Sequence, residues 1–162
     1  PILMISSALL NLRKARRTNE LSGERFLNTF GLLRIADKIA IPVYDFKMTN
    51  RKACCIADAI AIDFQSIDSE RESKRLLAEE LGHVMNKALY PLSYCCDSLR
   101  RGNVMKMERK AKDCAIRLTV PLCELKTAIA EGVDDYDIAD RLDIELWELS
   151  EAVEFYKTKG LL

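Results

Sequence analysis

Apolar positions recur at helical spacing through most of this chain, and only two short runs break into strand-like patterning. Residues 2–17 and 20–39 carry the three-to-four spacing of amphipathic helices, interrupted near "TNELSG". Residues 41–46, "IPVYDF", form a short β-rich run. Its Pro42 has no N–H to give to a ladder and suits an edge strand. Residues 53–64, "ACCIADAIAIDF", hold either two strands around Ala57 and Asp58 or one strand from Ala59 to Phe64. Beyond them the helical period returns. Residues 69–89 read as a long helix ended by Pro91, 91–103 as a loop, and 104–120 as a second helix stopped by Pro121. Shorter helices follow at 122–131, 134–142 and 144–157, before Gly160. This order predicts an α+β fold, mostly helical, with a small antiparallel sheet and a C-terminal helical hairpin. No linker divides the chain cleanly, so we expect a main domain over residues 1–121 and a helical extension, 122–162, packed on it.

Composition narrows the classes. Hydrophobic residues make up 49% of the 162 positions, enough for a proper core. Twenty-five basic residues balance twenty-five acidic ones, so no global field draws the chain to nucleic acid or to an anionic membrane. No apolar run approaches the roughly 20 residues that span a bilayer. The apolar start "PILMISSALL" is followed, not preceded, by the basic cluster Arg13, Lys14, Arg16 and Arg17, an order that argues against a signal peptide; the cluster itself reads as a solvated helix end. The six cysteines include two adjacent pairs, Cys54-Cys55 and Cys95-Cys96, with no Cys-x-x-Cys spacing. That argues against a zinc knuckle and suits free thiols in a reducing cytoplasm.

The chemistry concentrates in "LLAEELGHVM", residues 76–85, which contains the only histidine. On a helical wheel Leu77, Leu81, Val84, Met85 and Ala88 form a core stripe, while Glu79, Glu80 and His83 share the opposite side. Leu76 lies among those three and suggests that their side is partly covered. Gly82 sits mid-helix at a cost of roughly 1 kcal/mol against alanine, which marks close approach by another backbone. Glu79 and His83, one turn apart, can reach one ion, and Glu80 sits beside them where a general base is needed. A third ligand must come from elsewhere. Glu108, on the second helix, is expected to point into a mostly apolar face, where a carboxylate must meet a cation or take a proton. The plain alternative is a solvated face with an i,i+4 pair between Glu108 and Lys112.

"LLAEELGH", followed after a loop by "ERKAKDCAIRLTVP" (108–121), resembles the ImmA/IrrE family of metallopeptidases. Their pattern is an active helix of the form A-[HE]-E-x-G-H, then a helix E-x-x-A-x-x-x-A-x-x-L ending in proline. Glu108, Ala111, Ala115, Leu118 and Pro121 match the second helix, and "IAIDF" resembles the strand leading into the active helix. The resemblance implies a metallo-endopeptidase with a gluzincin-like core, of the kind carried by phages and mobile elements. Its relatives act on a helix-turn-helix repressor. By the same resemblance Glu79, His83 and Glu108 are metal ligands, Glu80 is the general base, and the metal is zinc. The departure is Glu79, where many relatives have histidine. Two carboxylates and one imidazole neutralise a divalent ion, lower its Lewis acidity and shift preference toward manganese or iron. The alternative is a weakly metallated or metal-free relative that acts as an antirepressor-like binding module.

Residues 136–156 carry the Ile-Ala-x-x-Leu-x-Ile spacing of a helix-turn-helix, but Glu145, Glu148, Glu151 and Glu154 on its second helix would face phosphates and be repelled. Direct nucleic-acid reading is therefore not expected. The segment reads as a hairpin closing the core with Trp147 as its anchor, or as a partner-docking surface.

Overall fold

The computed structural model describes residues 28–56, 59–86 and 98–162. The predicted helix at 2–17, the first part of the 20–39 helix, the basic cluster at 13–17, the end of the long helix at 87–89 and Cys95-Cys96 lie outside these. The described chain is α+β: six helices and one three-stranded sheet. Helix α1 (Thr29–Lys38) is followed by β1 (Val43–Asp45), β2 (Ala53–Ile56) and β3 (Ala59–Ile62), then α2 (Glu70–Met85) and α3 (Ser98–Thr119). Helices α4 (Leu122–Ala130), α5 (Asp135–Leu142) and α6 (Leu146–Thr158) complete it.

The sheet is mixed, not antiparallel as expected. Its order is β1-β3-β2, with β3 antiparallel to β2 and parallel to β1. Two residues join β2 to β3, which forces a hairpin. The chain from β1 crosses to the far edge before that hairpin, so β3 enters between the two and runs alongside β1. Buried Asp63 pins the crossing: its carboxylate accepts the Met48 N–H at 2.9 Å, and its own N–H donates to Lys52 O at 2.8 Å. Both β1, which follows Pro42, and β2 are edges. Ile60 and Ile62 turn one face of β3 into a core shared with Leu32, Leu77 and Leu81.

Helix α2 starts on Ser69, whose side chain accepts the Glu72 N–H, with Glu70 and Glu72 in the positive first turn. Leu77, Ala78 and Leu81 are fully buried, while Met85, assigned to the core stripe above, is 48% exposed near the helix end. Helix α3 begins at Ser98, so residues 98–103, expected in a loop, are helical. "SLRRGN" lacks an apolar period, so no helical signal marks this turn in the sequence.

A second core gathers Ile116 and Val120 of α3 with Leu125, Ile138, Leu149, Ala152 and Tyr156, and the Tyr156 hydroxyl donates to Val120 O at 2.7 Å. Trp147 is not its anchor: the side chain is 55% exposed. Leu149, Ala152 and Tyr156 set the buried face of α6, and a residue two places before Leu149 falls about 160° away from it. The α5–α6 corner turns at Asp143 in the left-handed region (φ 52) and grips α2. Lys74, 1% exposed, donates to Leu142 O at 2.6 Å, and Arg71 pairs with Asp140 and Asp143. Among the described residues no helix is long and apolar enough to cross a membrane.

Candidate metal centre

Three elements converge on one cavity of about 490 Å³: β2 with Cys54 and Cys55, α2 with Glu79, Glu80 and His83, and α3 with Glu108 and Ala111. Arg51, Arg109 and Lys112 also line it. The helices meet closely here because Gly82 permits it. A Cβ built on Gly82 would lie 2.3 Å from the carbonyl oxygen of Ala111, so only glycine lets α2 lie backbone to backbone on α3. One residue on from Gly82, and three before Ala111, His83 Nε2 stands 3.4 Å from Glu108 Oε2.

The surroundings of these side chains differ. His83 is largely covered, its side chain 13% exposed. Glu108 is not turned into an apolar face as expected; its side chain is 56% exposed and borders the cavity instead. Ala111, Ala115 and Ile116, on the same helix, take the buried positions instead, and Ala111 also lines the cavity against Gly82. Lys112, one turn on, reaches Glu151 of α6. Glu79 lines the cavity while accepting from Arg75 Nη1 at 3.5 Å.

Glu80 is strongly perturbed. Burial, then repulsion from Glu79 and Glu108, raise its pKa to about 7, against the opposing pull of Arg51 and the Cys55 N–H. Burial and the charge of Glu80 also push the Cys54 thiol up. A carboxyl poised near neutrality beside two further carboxylates and an imidazole is a donor set suited to a cation, which would relieve the repulsion. Among the described residues, however, no three His, Cys, Asp or Glu side chains already stand together as a finished ligand set.

Arg51, Cys54, Cys55 and Arg109 were not legible as cavity residues. The strand residues face it only because β2 is the edge beside α2, a relation that no local pattern encodes. Arg109 could have been inferred from its place next to Glu108. Comparison with protein-family models, curated proteins and solved structures gives no match. What the fold and the cavity define is an α+β protein with a carboxylate-rich site around one imidazole.

Proposed function

We propose that this chain is a metal-dependent endopeptidase of ImmA/IrrE type with a gluzincin-like core, in which Glu79, His83 and Glu108 hold a divalent cation and Glu80 is the general base. The observation that carries the reading is the 3.4 Å approach of His83 Nε2 to Glu108 Oε2, from separate helices, on the wall of a cavity that Glu79 and Glu80 share. When bound, the cation supplies an acidified water and polarises the substrate carbonyl. Glu80, beside Glu79 on the cavity wall, would accept a proton from that water on its carboxylate and return it to the leaving amide nitrogen. Gly82 lets the two helices approach closely, which supports a shared role for His83 and Glu108. The donor set, two carboxylates and one imidazole, takes zinc and also suits manganese or iron. The substrate we infer is a helix-turn-helix repressor-like protein in the cytoplasm, with no direct contact to nucleic acid.

Metal analysis of freshly purified protein, with hydrolysis of a repressor-like substrate, tests this. Bound metal kept in Glu80→Gln but lost in Glu108→Ala, with hydrolysis lost in both, is the expected result. Failure to take up zinc, manganese or iron at all would sink it. A second reading, a metal-free antirepressor-like module, draws support from the engagement of Glu79 by Arg75. It predicts partner binding that survives chelation and Glu80→Gln alike.

A further inference from the structure

The formal neutrality of the chain conceals a division. Residues 122–162 hold eleven acidic and four basic residues, a net −7, whereas residues 1–121 hold fourteen and twenty-one, a net +7. Part of the acidic excess is engaged internally: Asp140 and Asp143 hold Arg71, Glu131 holds Arg141, and Glu151 holds Lys112. Glu154 is exposed and makes no ion pair among the described residues. It ends a stripe along α6 of Trp147, Glu151 and Glu154, spaced one helical turn apart. The only tryptophan of the chain is thus more than half exposed on a carboxylate-rich face.

Beside Trp147 lies a small hollow of about 30 Å³ lined by Ala115, Ile116 and Glu151, with Arg75 and Lys112 also on its wall. It shares Glu79 and Lys112 with the large cavity, so the α6 face runs into the candidate metal centre without a break. The ring already receives one cation, as the Arg75 guanidinium stands 5.9 Å from its centroid. An exposed indole is also the side chain most often found at the energetic centre of protein interfaces.

We propose that the Trp147–Glu151–Glu154 face of α6 docks a lysine- or arginine-rich segment of a protein partner. A partner cation stacks on the indole beside Arg75, and others meet Glu154 and compete with Lys112 for Glu151. Charge complementarity selects this occupant, since the carboxylates repel nucleic acid and disfavour a purely apolar peptide. Where the peptidase reading holds, on which this step rests, the segment belongs to the substrate and the hollow leads its chain toward Glu79 and His83. The docking itself needs no metal.

Trp147 emission reports on this face alone, because the chain has no other tryptophan. The full chain, with chelator and again with zinc, is titrated with a short peptide alternating arginine and leucine, and with its glutamate–leucine counterpart. The expected result is a saturable emission shift with the basic peptide only, in either metal state. It weakens as salt rises and is roughly three- to tenfold weaker in Glu154→Lys. Equal response to the acidic peptide, or unchanged affinity in Glu154→Lys, overturns the proposal. So does the same shift on concentrating the protein alone, which would mean that a second copy fills the face. Basic-peptide binding in a protein that takes up no metal leaves docking standing and removes the peptidase reading. Hydrolysis without any emission shift does the reverse.

Discussion

Gly82 and Ala111 bring two helix backbones into contact: a Cβ on the glycine would lie 2.3 Å from the alanine carbonyl oxygen. His83 and Glu108 flank that contact at 3.4 Å from each other, so the site geometry depends on a residue with no side chain. Replacing Gly82 with alanine should favour the isolated helix by about 1 kcal/mol, yet the clash is with backbone and cannot be relieved by a rotamer. The expected net effect is destabilisation by about 1–3 kcal/mol, with His83 and Glu108 driven apart. Urea denaturation and metal uptake of Gly82→Ala check it. A variant as stable as the parent would mean that α2 and α3 do not touch here.

Glu80 sets a pH dependence of stability. Its pKa rises from 4.5 to about 7 on folding, so between these values the native state binds more protons than the unfolded one. Stability of the metal-free protein therefore falls as pH rises through that window, and levels off above it. Glu80→Gln removes the slope and should stabilise the metal-free protein at pH 8 by about 1–3 kcal/mol, while lowering peptide hydrolysis by about a hundredfold or more. Denaturation of both forms at pH 5 and pH 8 measures the first effect. A parent slope that rises with pH would contradict the raised pKa.

Among the described residues, the order of the helices, Gly82 as a point of backbone contact, Pro42 beside an edge strand, and the neighbourhood of His83 and Glu108 were legible in the sequence. Helical period, glycine cost and turn residues are local signals. Strand direction is not local: alternation in "IAID" is the same whether β1 pairs with β3 parallel or antiparallel. Nor does a helical wheel tell which side of α3 meets α2, which is why Glu108 was assigned to an apolar face and borders the cavity instead. Trp147 misled because its size suggested an anchor, whereas Leu149, Ala152 and Tyr156 already fill that core.

Lys74 joins α2 to the α5–α6 corner from inside the protein, donating to Leu142 O at 2.6 Å. Lys74→Met keeps the apolar stem but leaves that carbonyl, at a helix end, without its donor. The expected loss is about 1–3 kcal/mol, and Lys74→Ala should lose more through the added cavity. Thermal or urea unfolding ranks the two variants against the parent. Equal stability of all three would mean that water replaces the ammonium at no cost.

Ala40 closes α1 with φ 56, a conformation that costs a non-glycine residue about 1–2 kcal/mol. The side chain is exposed, so removing it forfeits little packing. Against the greater entropy of glycine in the unfolded chain, Ala40→Gly should still gain about 0.5–1 kcal/mol, seen as a higher urea midpoint with unchanged slope. A drop in midpoint would show that the methyl group contributes contacts that outweigh the strain.

Glu79→His tests the charge argument for the metal centre. In the parent, Glu79 is shared between the cavity and Arg75, and its charge contributes to the rise of the Glu80 pKa. An imidazole at this position ends the pairing with Arg75 and converts the donor set to two histidines and one carboxylate, the composition that zinc favours. Zinc should then be retained against chelator at least about tenfold more tightly, or about 1.4 kcal/mol. The Glu80 pKa should fall at the same time, because one of the two carboxylates repelling it is gone. The two effects read out separately, by competition with a zinc chelator and by the pH dependence of unfolding in the metal-free state. A lower Glu80 pKa with no gain in zinc affinity would place Glu79 beside Glu80 but outside the metal's reach.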